Sequence, residues 1–98
     1  MEKGGWVYIL ASAPYGTLYV GVTANLSRRL RQHRTGEGSK FCDMYDVHRL
    51  VHAERFEDIR NAIRREKRLK KWERRWKIEL IEKENPEWVD LFARMGWD

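Results

Sequence analysis

The 98-residue chain predicts one small α+β domain. Three observations carry that expectation. Residues 7–11 and 18–23 alternate apolar with other side chains at the strand period of two, around the turn-forming segment SAPYGT. HRLVHAERF at 48–56 has the make-up of a third strand. Leu26 with Leu30, and Ile59, Ala62 and Ile63 with Leu69, recur instead at helical spacing.

In the hairpin, pairing Ala11 with Leu18 leaves Pro14 and Gly16 in the loop, where turn chemistry wants them. The same register gathers Val7, Ile9, Leu18, Val20 and Val22 on one face as a β-branched layer fit for a core. It brings Tyr8 and Tyr19 to the other face as diagonal neighbours, with Gly21 opposite Tyr8 and Leu10 opposite Tyr19. A helix follows, capped by Thr23 or Asn25, with Arg29 and His33 as an i, i+4 pair and Gly36 and Gly38 at its end. The third strand buries Leu50 or Val51. Over about 57–72 a second helix buries Ile59, Ala62, Ile63 and Leu69, and at 100° per residue Glu66 falls within that stripe. After a break at Trp72 a shorter helix runs to Asn85-Pro86. The core spans about 6–84, and 85–98 is a packing segment. Trp72, Trp76, Trp88 and Trp97 read as core or lid aromatics.

Twenty Lys and Arg against fifteen Asp and Glu give a net charge of +5, unevenly spread. Residues 60–77 hold ten of the basic side chains and two acids, while Arg28, Arg29, Arg31 and Arg34 cluster upstream. Concentrated positive charge favours a polyanion through counterion release. Arg28, Arg31, Arg64, Arg65, Lys67, Arg68, Lys70 and Lys71 are the candidate nucleic-acid contacts, and a solvated helix face is the plain alternative. The lone Cys42 offers neither a disulfide nor a zinc set and reads as a small buried hydrophobe. No signal-peptide pattern or membrane-length apolar run appears, so the expected location is cytoplasmic.

Among chemistry-bearing groups, Ser, His and Asp form no triad arrangement, and no phosphate-cradling Gly loop is present. What stands out is Tyr8 with Tyr19, Arg29 with His33, and an inward carboxylate on a basic helix. An inward Glu66 must be paired or bound to a cation. The set suits phosphodiester hydrolysis. Glu66 would hold one Mg²⁺ or Mn²⁺, Arg29 would meet the charge of the transition state, and a tyrosine would take the proton of the attacking water.

Val7-Tyr8-Ile9, then Tyr19-Val20-Gly21, Asn25-Leu26, Arg29 and His33, with REKRLKKW at 65–72 and NPEWVDL at 85–91, resemble the GIY-YIG nuclease superfamily, in its stand-alone bacterial branch. Trp6 stands where the family's first motif has glycine, and Lys77 and Ile78 where it often has asparagine. The resemblance implies a three-stranded antiparallel sheet flanked by helices and a site of Tyr8, Tyr19, Arg29, His33 and Glu66. Tyr8 is favoured as general base, with Tyr19 orienting water or phosphate; the two roles are exchangeable, His33 is available to assist either, and Glu66 is the metal ligand. The resemblance further implies a divalent-metal-dependent DNA endonuclease with no organic cofactor, for which structure-selective nicking of branched or damaged DNA in repair or recombination is one possible form. The competing readings are a nucleic-acid-binding module without turnover and a protein–protein adaptor.

Overall fold

A computed structural model of the chain describes residues 3–95. The expectation for Trp97 lies outside them. The elements follow in the order β1 (Gly5–Ala11), β2 (Leu18–Thr23), α1 (Leu26–Arg34), α2 (Lys40–Met44), β3 (Arg49–Phe56), α3 (Ile59–Lys71), α4 (Arg74–Glu84) and α5 (Leu91–Arg94). The strands form one antiparallel sheet in the order β2-β1-β3. Strand β1 is therefore central, and β2, which carries the second tyrosine, lies at an edge.

The hairpin takes the register its alternation dictates: Ala11 faces Leu18, Tyr8 faces Gly21 and Leu10 faces Tyr19. One face packs Val7, Ile9, Ala11, Val20 and Val51 against Ala62 and Leu69 of α3, Ile81 of α4 and Trp88. The opposite face packs Tyr8, Leu10 and Leu50 against Leu26 and Leu30 of α1, Cys42 of α2, Val47 and Phe92 of α5. With both faces covered, Leu50 and Val51 are both buried, rather than one of the two.

Pairing of β1 with β3 slips between Ile9 and Leu10, so that Ile9 faces His52 while Leu10 faces Leu50. The irregularity leaves Val51 as an extra residue, a bulge whose carbonyl needs another donor. Asn85 supplies it. Its buried Nδ2 donates to the carbonyls of Val51 (3.1 Å) and Val89 (3.0 Å), and its Oδ1 accepts from the Val89 amide. The residue that ends α4 thus also fastens the C-terminal segment to the sheet.

The hairpin turn is tied to the same region. Arg74 donates to the carbonyls of Tyr15 and Gly16, and the Tyr15 hydroxyl donates to Glu82. Glu82 also accepts from Trp88 Nε1 at 3.0 Å. On β3, Glu54 accepts a forked pair of bonds from Arg65 and lies 2.8 Å from His52 Nε2. Burial alone would raise the Glu54 carboxyl, but these partners outweigh it and hold it down at about 2.

Two expectations need correction. Ile63 is 37% exposed rather than buried, because the inward line of α3 runs Ala62, Glu66, Leu69 and leaves Ile63 on its margin. Trp76 is also exposed, against a partly buried Trp72 at right angles to it, whereas Trp88 is core. Arg65, one of the candidate nucleic-acid contacts, is bound to Glu54 and stacked over Trp72, and so also fastens α3 to the sheet. Helix α2, capped by Ser39, has no counterpart in the sequence reading.

Candidate active site

The site is built outward from Tyr8. Strand β1 points its side chain to the α1 face, and the absence of a side chain on Gly21 lets the ring lie across β2. A Cβ at Gly21 would sit 2.4 Å from the Tyr8 hydroxyl and Cζ. The rings of Tyr8 and Tyr19 stand 6.4 Å apart. Tyr8 is buried and Tyr19 half-buried, so the two phenols differ in their access to solvent.

Helix α1 supplies the next two groups. Asn25, not Thr23, is its cap, its Oδ1 accepting from the Arg28 amide at 3.1 Å. Leu26 and Leu30 bury one side of the helix, and one turn beyond Leu30 that side continues into His33. His33 is buried, 6.2 Å from the Tyr8 ring and 5.9 Å from the Tyr19 ring. Its Nε2 lies 3.4 Å from the Tyr8 hydroxyl, while Nδ1 has no hydrogen-bond partner among the described residues and rests against Gly38. Arg29, half-buried, lines a cleft of about 460 Å³ with Thr23, Asn25, Arg28, Gln32 and Ile59.

These neighbours set the proton chemistry. Burial first, and Tyr19 beside it, pushes the Tyr8 phenol above its ordinary range, against the pull of Arg29. Burial, then Arg29 and His48, hold His33 below its ordinary 6.5. At neutral pH the pair therefore consists of a phenol and an uncharged imidazole.

Glu66 comes from α3, on the other face of the sheet. Its side chain is only 13% exposed, and its carboxylate meets Lys70 at 3.1 Å, one turn along the helix. It contributes to raising the Tyr8 phenol, so its charge is felt across the β2 edge. Among the described residues no three His, Cys, Asp or Glu side chains assemble as a metal cage. A single hard oxygen donor fits a Mg²⁺ or Mn²⁺ ion that keeps most of its water, and does not fit zinc. Lys70 is the competitor such an ion must displace.

Of the remaining predicted contacts, Arg28 lines the cleft, and Arg31 is exposed on α1. Arg64, Lys67, Arg68 and Lys71 are exposed along α3, and Lys70 is engaged with Glu66. Sequence reasoning read Gly38 only as a helix stop, where it also leaves room for the His33 ring, and passed over Phe41, whose ring stacks on Tyr19 at 6.2 Å and 29°. The Ser39 cap followed by Phe41 was the available signal. No helix among the described residues is long and apolar enough to cross a membrane.

Comparison with known proteins agrees with this architecture. The family model described as the GIY-YIG catalytic domain matches residues 4–79. A UPF0213 protein of Syntrophus aciditrophicus is 39% identical over 83 residues, covering 84% of this chain and 93% of that protein. Another, from Natronomonas pharaonis, is 39% identical over 81 residues, covering 83% and 94%. The solution NMR structure of the UPF0213 protein BH0048 from Bacillus halodurans superposes with a TM-score of 0.53 at 32% identity, over 84% of this chain and 86% of that one. With a catalytic-domain match across most of its length and relatives of its own size, the chain belongs to the GIY-YIG family.

Proposed function

We propose that this protein is a divalent-metal-dependent endonuclease that hydrolyses phosphodiester bonds in DNA, nicking one strand at a time. The observation that carries the reading is the meeting of Tyr8 and His33, 3.4 Å apart, beside Tyr19 and within the electrostatic reach of Arg29 and Glu66. Each residue type has a task in phosphoryl transfer.

Glu66 is the residue that would hold the ion, which when bound supplies charge to the scissile phosphate and its leaving oxygen. Arg29, at the wall of the cleft, offers its planar guanidinium to the phosphate oxygens as their charge grows. Tyr19, the more accessible phenol, orients the phosphate or the attacking water.

The favoured assignment of Tyr8 as general base takes a more specific form. A phenol raised by burial does not ionise unaided at neutral pH. In the tautomer that carries its proton on Nδ1, His33 accepts the Tyr8 hydrogen at Nε2. As Tyr8 passes that proton on, its oxygen takes one from water. Two groups, each poor alone, thus act as one base. Their 3.4 Å separation is long for a hydrogen bond, and bound substrate is expected to tighten it.

The test is a panel of single-stranded, duplex, flap and four-way DNA, with and without Mn²⁺, cut by wild type and by Glu66→Ala. The expected result is ion-dependent nicking by wild type alone. Equal cleavage by both proteins would remove Glu66 from the reaction. Salt-sensitive binding with no cleavage would assign the chain to the non-catalytic module, a reading that the Lys70 contact to Glu66 favours.

A further inference from the structure

Helix α2 presents an unusual surface. Of the six large hydrophobic side chains exposed among the described residues, three fall within residues 41–45: Phe41 (43% exposed), Met44 (74%) and Tyr45 (53%). Only Cys42 of this helix is buried. Three neighbouring apolar side chains left in water are uncommon on a small domain and indicate something that covers them.

These rings are not isolated. Phe41 and Tyr45, one helical turn apart, have centroids 4.9 Å from each other. Phe41 lies on Tyr19 at 6.2 Å and 29°, and Tyr19 stands 6.4 Å from Tyr8. The four rings form a file leading from the buried phenol at the candidate site to the open surface. Its inner end lies beside Arg29 and the cleft that Arg28 and Arg29 line.

We propose that Phe41 and Tyr45 form a stacking platform for an unpaired DNA base next to the phosphodiester being cut. The inference rests on the endonuclease reading, and deepens it by naming the substrate feature the enzyme recognises. The occupant follows from continuity and charge. The platform shares Tyr19 with the site, so whatever lies on it adjoins the bond. The chain carries a net charge of +5, and the neighbouring cleft holds two arginines, which suits a polyanion. A base inside a duplex has both faces covered by its neighbours. Only an unstacked base can offer its face to Phe41. Flap junctions, bulges and frayed ends provide one, whereas a continuous duplex does not. Selection would thus come from strand structure and not from base sequence, because every base has a π-face.

The probe is 2-aminopurine, a base whose fluorescence falls on stacking, walked through the unpaired side of a flap-junction oligonucleotide. Binding is measured in EDTA, so the result does not depend on cleavage. Wild type is expected to quench the probe at one or two positions. Phe41→Ala and Tyr45→Ala are expected to lose the quench and bind the flap roughly 5- to 100-fold more weakly. Phe41→Trp is expected to retain it. Circular dichroism checks that each variant is folded. Absence of quenching by wild type at every position, or equal quenching by folded Phe41→Ala, overturns the platform. So does a concentration-dependent dimer that Phe41→Ala abolishes without any quench, which would assign this face to a second copy of the chain. Quenching lost in Phe41→Ala while no DNA is cut in Mn²⁺ upholds the platform and rejects the nuclease reading instead. With Mn²⁺ present, the ratio of flap to duplex cleavage is expected to fall at least about fivefold in Phe41→Ala.

Discussion

The hydroxyl of Tyr8 and Nε2 of His33 face each other at 3.4 Å, both on side chains closed to solvent. Residues 25 positions apart meet there because a central strand and the buried side of α1 share one core. On the proposed mechanism the contact has kinetic consequences. Tyr8→Phe keeps the ring and its packing but removes the proton path. The expected loss in kcat is roughly 10²- to 10⁴-fold, with melting temperature little changed. His33→Gln is expected to fall in the same range, and the double variant to lose little more than either alone.

The pH profile follows from the same pair. His33 must be uncharged to accept a proton, and its surroundings lower its affinity for one below the ordinary 6.5. Activity is therefore expected to persist as pH falls through 6.5, with the acid limb of kcat/KM below that value. An acid limb at or above pH 7 would show that a different group accepts the proton.

Lys70 holds Glu66 at 3.1 Å, from a position more than half exposed. Replacing it with Met removes the competitor for the carboxylate. Because such pairs are weak, the expected gain in Mn²⁺ affinity is modest, about two- to fivefold, read from the Mn²⁺ dependence of cleavage. Glu66→Gln is expected to abolish the dependence itself.

Gly21→Ala tests whether the Tyr8 ring needs its present bed. The new methyl group would stand 2.4 Å from the hydroxyl, so the ring must move away from His33 or β2 must shift. We expect a cost of about 1–3 kcal/mol in urea unfolding and a drop in cleavage resembling that of Tyr8→Phe.

Acid stability is expected to depend on Glu54, which lies away from the proposed chemistry. Its folded carboxyl sits at about 2 against an ordinary 4.5. A depressed carboxyl adds stability that is complete above pH 4.5 and disappears as pH falls towards 2. The amount is on the order of 2–3 kcal/mol. In urea unfolding, Glu54→Gln is expected to be less stable than wild type at pH 7, with the gap narrowing steadily between pH 4.5 and 2.

How much of this was readable beforehand depended on regular spacing. The period-two alternation of residues 7–11 and 18–23 admits one register that buries the β-branched face, and that is the register found. Glu66 was legible for the same kind of reason, since 100° per residue places it between Ala62 and Leu69. The five residues of α2 are too few to show a period, and their exposed rings run against the usual sorting of apolar side chains. The pairing of Arg65 was hidden because its partner, Glu54, lies on a strand eleven residues earlier, where no helical spacing could reveal it. The bulge at Val51 was equally hidden, since it appears only when β3 is laid against β1 and Asn85 closes over it.

The position of Glu66, on the layer opposite the tyrosines, bears on safety during synthesis. A growing chain that has not yet reached residue 66 already carries Tyr8, Tyr19, Arg29 and His33, but lacks the proposed carboxylate ligand. Even after release, that carboxylate takes its place only when α3 has docked on Val7, Ile9 and Val20. On the proposed endonuclease reading, a half-made or half-collapsed copy is thus disarmed, and any power to cut DNA arrives as a property of the finished molecule.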